Sequence, residues 1–294
     1  MKIKKKVKIA VFPVAGIGSR FLPITKSCPK EMLPIIDKPL IQYATDEAID
    51  AGIEMLVFVL GKDKINIPNY YAKSRELERT LEERRNFKAL ELVTSIIPKY
   101  IKCVYLKQDQ PLGLGHAVLC SKLVVGNNPF AVILADDVIF SSKSGCLKQM
   151  INRYESFNSS IIAVEKIQRE LLHKYGVIKG NKINGNDWIL SGIIEKPKNI
   201  NAPSEMGVVG RYILKSSIFK ILENTKLGEG GEIQLTDAIA NYIEKENVYA
   251  YEFKGKRFDC GDKLGFLKAT VEYALNHPDL SKEFKNYLKK LNLI

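Results

Sequence analysis

The chain has 294 residues, of which 46% are hydrophobic, and its formal net charge is +12. This length suits one large α/β domain or two small ones, and the apolar content is sufficient for a packed core. No apolar run approaches the roughly 18 residues of a transmembrane helix, and Pro13 interrupts any signal-peptide core after the basic start, so we expect a cytoplasmic protein. Five scattered cysteines without a Cys-x-x-Cys pair indicate reduced thiols and argue against a zinc site.

The positive charge has two interpretations. Nucleic-acid binding would call for basic residues clustered with aromatic ones, or for a known module. The lysines are instead spread along the sequence, apart from the first eight residues. This pattern favours attraction of anionic substrates, so we predict no nucleic-acid and no membrane partner.

Short apolar runs alternate with helical patterns in the first half of the chain, which predicts a mostly parallel sheet with helices on both faces. After residue 170, short strands separated by turn signals indicate a mixed or antiparallel region. The predicted strands are 8–13, 55–60, 102–106, 130–134, 160–165, 176–183, 188–195, 206–214 and 248–253.

Four helices are predicted besides the charged segment 62–100. One face of the first helix carries Leu40, Ala44 and Ala48, and another helix is predicted over 234–245. Two C-terminal helices close the chain, the first with Leu264, Leu267, Val271 and Leu275 on one face. Residues 62–100 are charged and indicate either an inserted, lid-like segment or an ordinary long crossover helix.

The most informative segment follows the first predicted strand. Gly16 and Gly18 stand where bare backbone could approach a phosphate, and the cations Arg20, Lys26 and Lys30 follow. Glycine lets N–H groups converge on an anion, while Arg and Lys neutralise phosphoryl oxygens. At the carboxyl end of a strand, this pattern predicts a cradle for a nucleoside triphosphate. A Gly-rich turn with incidental surface cations is the alternative.

Two other nucleotide motifs are excluded by residue detail. The dinucleotide fingerprint requires a third glycine where Phe21 stands, and Pro23 interrupts the helix that should follow. The P-loop string Gly-x-x-x-x-Gly-Lys-Ser/Thr does not occur in the chain.

Joined to Pro-Lys-Glu-Met-Leu-Pro at 29–34, the cradle resembles that of the sugar-nucleotide pyrophosphorylases, a nucleotidyltransferase family. The resemblance covers nearly the whole chain and is strongest to the bacterial UTP–glucose-1-phosphate uridylyltransferases. Ser19 stands where the family usually has Thr, which is a conservative exchange of hydroxyls. The segments that carry the resemblance are AGIGSRFLPITKSCPKEMLPIIDKPLIQY, QPLGLGHAVL, AVILADD, IIEKP, VGRYIL, GGEIQLTDAI and KGKRFDCGDKLG.

The resemblance implies a Rossmann-like three-layer α/β/α nucleotidyltransferase fold with a mostly parallel, mixed central sheet. We predict a single domain over 1–294, with a nucleotide-binding part at 1–165, a sugar-binding part at 166–260 and C-terminal helices at 261–294. We also expect a homo-oligomer, either a dimer or a tetramer.

The implied reaction is attack by an oxygen of glucose 1-phosphate on the α-phosphorus of UTP, which forms UDP-glucose and expels pyrophosphate. The nucleophile is already an anion near neutral pH, because the second pKa of a phosphate monoester is about 6. No general base is needed, so His116, His173 and His277 are predicted to have no catalytic role. Cations and a divalent metal are needed to align two polyanions, and Arg20 and Lys30 are the predicted catalytic cations.

Two aspartates, Asp136 and Asp137, end the apolar run 130–134, where open α/β sheets bind ligands. A helix cap or a turn is the alternative for such a pair. The resemblance implies that Asp136, also a catalytic residue, and Asp259 hold Mg²⁺, an ion that prefers oxygen ligands.

The sugar site is implied by the residues that follow a strand-like run. Lys196, a further catalytic residue, would contact the sugar phosphate, and Glu195 would accept hydrogen bonds from sugar hydroxyls. Gly176 would let the hexose approach the backbone. An ordinary turn at a strand end is the alternative for each of them.

The base site is implied by the positions that match uracil contacts of the family: Ala15, Gly16, Gln108 and Gly113. The Gln108 amide carries both a donor and an acceptor, which complements the edge of uracil. Glu31 is also predicted to bind substrate.

Other functions remain open at this point. A thymidylyltransferase or an enzyme for another sugar 1-phosphate is the alternative within the class. A non-catalytic sugar-nucleotide sensor would have no need of transition-state cations. A basic nucleic-acid binder would show salt-sensitive binding to any duplex.

Overall fold

The computed structural model describes residues 5–62, 64–198 and 201–292. The strands are β1 Ile9–Val14, β2 Pro34–Ile35, β3 Lys38–Pro39, β4 Met55–Leu60, β5 Lys102–Lys107, β6 Phe130–Ile133, β7 Asp137–Phe140, β8 Ser160–Lys166, β9 Gly176–Asn184, β10 Asp187–Glu195, β11 Met206–Leu214, β12 Val248–Glu252 and β13 Lys256–Asp259. The helices are α1 Leu40–Asp50, α2 Asn66–Tyr71, α3 Arg75–Glu83, α4 Phe87–Thr94, α5 Gly113–Cys120, α6 Lys122–Val125, α7 Cys146–Phe157, α8 Ile218–Leu222, α9 Leu235–Ile243, α10 Lys263–Asn276 and α11 Ser281–Lys290.

Within the described residues, nine strands form one sheet in the order β5-β4-β1-β6-β11-β8-β12-β10-β9. The first four are parallel neighbours, and β8 is parallel to β12. The other neighbours, all involving strands after residue 170, pair antiparallel. The predicted α/β fold with a mixed central sheet is confirmed, and one continuous sheet contains strands from both of the predicted parts.

Each face of the sheet is covered by helices, which is why the parallel strands are continuous apolar runs instead of alternating ones. In β1, Val11 packs in the cluster that contains residues of α5, α8 and α9. Its neighbours Ala10 and Phe12 pack on the other face, with residues of α1 and α7. Because β1, β4 and β5 are parallel neighbours, their carboxyl ends lie at the same edge of the sheet.

The segment 62–100 forms three short helices, so the alternative of one long crossover helix is wrong. Asn86 Oδ1 accepts a hydrogen bond from Ala89 N over 3.2 Å, which starts α4 anew after α3. Only α2 is anchored by buried contacts, with Tyr71 OH 3.0 Å from Thr45 Oγ1 of α1. Neither α3 nor α4 buries a residue.

The apolar face of α10 lies on the surface of the chain. Leu264 and Leu267 are 58% and 61% exposed, whereas Ala269 is fully buried against a small core beside β7 and β13. None of the described helices is long and apolar enough to cross a membrane. All five cysteines are free thiols, as the sequence indicates.

Candidate functional site

The loop after β1 folds back over Lys30. Gly18 has φ +73°, and a Cβ on it would lie 3.2 Å from both Lys30 Cβ and Thr25 Cγ2. The Thr25 hydroxyl donates to the Gly18 carbonyl over 2.8 Å, which closes the loop. Glycine is required at position 18 by the left-handed backbone and by the close approach of Lys30 and Thr25.

Lys30 joins this loop to the end of the neighbouring strand β6. Its ammonium donates to Asp136 Oδ2 over 2.5 Å and lies 3.9 Å from the Cβ position of Gly16. Burial alone would raise the pKa of Asp136, but the Lys30 ammonium outweighs it and holds that pKa below its usual value. Asp136 is therefore a carboxylate, ready to bind a cation.

Asp259 reaches the same point from the end of the chain. The strand β13 pairs antiparallel with β7, and Cys260 N donates to the Asp136 carbonyl over 2.7 Å. A Cβ on Gly261 would lie 2.8 Å from Asp136 Oδ2 and 3.1 Å from Asp259 Oδ1. Arg20 Nη1 donates to the Gly261 carbonyl over 3.4 Å. The structure thus brings both predicted metal ligands and one predicted catalytic cation together.

These two carboxylates fit a magnesium ion. They flank an open point that a single Cβ would fill, and burial, followed by repulsion from Asp137 and then Asp136, raises the pKa of Asp259. Across the described ranges there is no group of three or more His, Cys, Asp or Glu that could hold a metal. Two carboxylates suffice for Mg²⁺, since it completes its octahedron with phosphate oxygens and water.

Asp137 has a different role from its neighbour. Its Oδ2 accepts from Gly210 N over 2.6 Å, and its Oδ1 accepts from Arg257 Nε. Arg257 also donates to Glu165 Oε1 over 2.8 Å and to the Tyr175 hydroxyl over 3.3 Å. Asp137 is therefore fully engaged within the protein, and the predicted pair divides into one available and one structural carboxylate.

Two of the three predicted sugar residues, Gly176 and Glu195, line a cavity of about 250 Å³ together with Asp136 and Asp259. Thr236 Oγ1 donates to Glu195 Oε2 over 2.6 Å. A Cβ on Gly176 would lie 2.7 Å from Thr236 Cγ2 and 3.2 Å from that carboxylate, so no larger residue fits. Lys196 is in the left-handed region with φ +41°, and its N–H donates to the Tyr175 carbonyl over 3.0 Å. Lys196 is not among the residues that line this cavity, but its ammonium lies 3.7 Å from Oε1 of Glu195, which does line it.

Three of the four predicted base residues, Ala15, Gly16 and Gln108, line another cavity, of about 510 Å³. Gly113 is near it at the start of α5, with φ +90°, and a Cβ there would lie 2.6 Å from Glu232 Cβ. Packing against Glu232 thus accounts for that glycine.

Glu31 does not line either cavity. Its side chain is 2% exposed, and its Oε2 accepts from the Lys64 ammonium over 2.8 Å. Burial, partly offset by Lys64, raises the pKa of Glu31, and burial lowers the pKa of Lys64. Lys64 does line the larger cavity, so the structure places a fixed cation where the sequence suggested a substrate-binding carboxylate.

Four neighbours of the site were missed by sequence reasoning. Lys64 follows the end of β4 as the cradle follows β1, and this shared placement was an available signal. His116 and Arg257 lie within segments that carried the resemblance, but their partners are on other secondary-structure elements, which the sequence does not show to be neighbours. The same holds for Thr236.

The site therefore has two cavities at the carboxyl edge of a mixed α/β sheet, and Lys30 contacts Asp136 of one and approaches Gly16 of the other. This arrangement suits an enzyme that binds a nucleotide and a second anionic substrate side by side. The chain belongs to the nucleotidyl transferase family, whose sequence model matches residues 10–276.

The relatives narrow this family further. The chain is 44% identical over 289 residues to a UTP–glucose-1-phosphate uridylyltransferase of Staphylococcus epidermidis, which covers 98% of this chain and 100% of the relative. It is also 44% identical over 287 residues to the enzyme of the same name from Bacillus subtilis, covering 98% of both chains.

Solved structures agree with this placement. The UTP-bound UGPase from Acinetobacter baumannii superposes with a TM-score of 0.91 at 44% identity, covering 97% of this chain and 99% of the other. A UDP-glucose pyrophosphorylase complexed with UDP-glucose has a TM-score of 0.83 at 42% identity, covering 92% and 100%.

Proposed function

We propose that this chain is a UTP–glucose-1-phosphate uridylyltransferase. The observation that carries the proposal is the Lys30–Asp136 ion pair: Asp136 lines the smaller cavity, and the Lys30 ammonium lies 3.9 Å from the Cβ position of Gly16 in the wall of the larger one. We assign the larger cavity to the nucleotide and the smaller one to the sugar phosphate. The relatives and the solved structures with UTP and with UDP-glucose support the choice of substrates.

In the proposed reaction, a phosphate oxygen of glucose 1-phosphate forms a bond to the α-phosphorus of UTP. The bond from the α-phosphorus to the oxygen that bridges it to the β-phosphorus breaks, and pyrophosphate leaves with that oxygen. Lys30 and Arg20 neutralise charge on the triphosphate, while Lys196 holds the sugar phosphate and Glu195 the hexose hydroxyls. Such fixed charges act without reorganising during the reaction, which makes them effective.

Asp136 and Asp259 would hold Mg²⁺. When bound, the ion would neutralise phosphate charge at the site of attack. We include a cytoplasmic location and a homo-oligomeric assembly in the proposal as predictions from the sequence.

A panel of nucleotides against sugar phosphates tests the proposal. Pyrophosphate release is measured with UTP, dTTP, CTP and ATP, each combined with glucose, galactose or N-acetylglucosamine 1-phosphate. Highest kcat/KM is expected for UTP with glucose 1-phosphate. A preference for dTTP would support the thymidylyltransferase alternative, which the relatives do not favour, and turnover with no pair would reject the enzyme proposal.

A further inference from the structure

We propose that His116 is a positioning residue that fixes the direction of the Gln108 amide, so that the site selects a base carrying an N3–H donor. This inference rests on the proposed function, since it concerns the nucleotide bound in the larger cavity. It assigns a role to a histidine that has no part in the chemical step.

The contacts of the amide nitrogen settle its direction. Gln108 Nε2 lies 3.2 Å from the Gly113 carbonyl oxygen and 2.9 Å from His116 Nδ1. A carbonyl oxygen only accepts, so the amide NH₂ group must face it, and a reversed amide would place two oxygens against each other. The second hydrogen of the NH₂ group is then directed at His116 Nδ1. That ring nitrogen accepts, which puts the ring proton on Nε2.

Both partners are held by rigid elements. Gln108 follows β5, and its N–H donates to the Leu60 carbonyl of β4 over 2.8 Å. The first turn of α5, which carries His116, is tied to the segment before α9 through Gly115 N and the Ile233 carbonyl at 2.8 Å. The amide therefore has one orientation in a nearly buried side chain that is 5% exposed.

The oxygen of this amide remains for the ligand. No donor from the described part of the chain bonds to Gln108 Oε1, and Gln108 lines the larger cavity. Although the side chain has both a donor and an acceptor, its donor is engaged within the protein. What it offers to a base is an acceptor alone.

An acceptor at this position discriminates between pyrimidines. Uracil and thymine carry a hydrogen on N3, which would donate to Gln108 Oε1, whereas N3 of cytosine has none and would set two acceptors against each other. Leaving polar groups unpaired in a site costs more than removing a hydrogen bond altogether. His116 therefore favours UTP over CTP but does not separate UTP from dTTP.

The test measures kcat/KM of the full chain for UTP, CTP, dTTP and N3-methyl-UTP with glucose 1-phosphate. His116→Leu removes the acceptor, and we expect the UTP/CTP ratio to fall about 10-fold while the UTP/dTTP ratio stays unchanged. His116→Asn places an amide oxygen near the position of Nδ1 and should retain the UTP/CTP ratio. His173→Leu, at an exposed histidine, is the matched control.

An unchanged UTP/CTP ratio in His116→Leu, with UTP turnover intact, would overturn the inference. So would equal ratios in the Leu and Asn variants. If His116→Leu fails to fold, N3-methyl-UTP decides with the unaltered protein, because equal use of it and UTP would contradict an acceptor at N3. Failure of the proposed function would look different, since the unaltered chain would then release no pyrophosphate from UTP.

Discussion

Lys30 contacts both halves of the site through a single side chain. Its aliphatic part supports the glycine loop at Gly18, while its ammonium neutralises Asp136. Pro29, which precedes Lys30, fixes the backbone at the start of a short 3-10 turn, Lys30–Met32. Side chains with such defined surroundings are where single substitutions are most informative.

Lys30→Ala should lower kcat by on the order of 10²-fold or more, because a preorganised cation is lost from the triphosphate. The fold should survive, since the pair with Asp136 is only partly buried. Steady-state kinetics together with circular dichroism test this, with Lys99→Ala, at an exposed lysine, as the control. Near-normal turnover in a folded variant would contradict the assignment.

A double substitution distinguishes the stabilising role of the Lys64–Glu31 ion pair from a contact between Lys64 and the substrate. Lys64→Met should destabilise the chain by about 3–5 kcal/mol, because it leaves the buried Glu31 carboxylate uncompensated. Adding Glu31→Leu should restore stability, since an apolar pair tolerates burial. If Lys64 also contacts the triphosphate, as its position at the cavity suggests, the double variant should keep a raised KM for UTP. Recovery of both properties in denaturation and kinetic assays would make the pair purely structural.

Lys196→Ala should raise the KM for glucose 1-phosphate far more than the KM for UTP, because its ammonium lies 3.7 Å from Oε1 of Glu195, which lines the smaller cavity. The side chain is 40% exposed, so its removal should leave the melting temperature nearly unchanged. Initial rates measured against each substrate in turn provide the two values. Equal shifts in both would place the sugar phosphate elsewhere.

At the scale of elements, the small two-stranded sheet formed by β7 and β13 determines the position of Asp259. It sets Asp259 opposite Asp137 in register and directs Cys260 N to the Asp136 carbonyl. Arg257 of β13 ties this small sheet to Glu165 of β8 and to Tyr175, the residue before β9. The position of Asp259 thus depends on the ion-pair network of Arg257.

Arg257→Gln should destabilise the chain by about 3–5 kcal/mol, because two carboxylates lose a partner whose side chain is 8% exposed. It should also raise the metal concentration needed for half-maximal turnover, since Asp259 would lose its fixed place. Denaturant unfolding and magnesium titration of activity measure the two effects. Lys256→Gln, next to it but with a side chain 62% exposed, is the control and should change neither.

At the scale of the molecule, the sheet order brings distant parts of the chain to one edge. The cradle after β1, the end of β6 and the strand β13 meet although they come from the beginning, middle and end of the sequence. A metal held by Asp136 and Asp259 would therefore link the predicted nucleotide-binding part to the predicted sugar-binding part.

Asp136→Asn or Asp259→Asn should keep the fold and abolish magnesium-dependent turnover, with excess metal restoring it only partly. Chelation of the unaltered protein should do the same reversibly, because two carboxylates hold Mg²⁺ only together with phosphates and water. Activity and thermal unfolding are measured in parallel. Glu272→Gln, at an exposed ion pair, is the control, and full activity in either Asn variant would refute the shared site.

Much of the fold could be predicted because its signals are local. The buried strands are runs of apolar residues that read the same in any context, so 55–60 and 130–134 appear within a residue of their observed bounds. The glycine loop after β1 could also be predicted, because a left-handed backbone such as that of Gly18 favours glycine whatever surrounds it. The exposed apolar face of α10 was beyond such reasoning, because periodicity shows that a face exists but not what covers it.

The sequence by itself determined the nine strands of the central sheet and the glycine loop, and its motifs predicted the pair Asp136 and Asp259, but it did not show β2, β3, β7 or β13. Only the tertiary structure decided which partner each side chain takes. Glu31 pairs with Lys64, the amide nitrogen of Gln108 contacts His116, and Asp137 pairs with Arg257. These pairings join residues on different elements, and their distances depend on strand order and helix placement, which no local pattern of residues encodes.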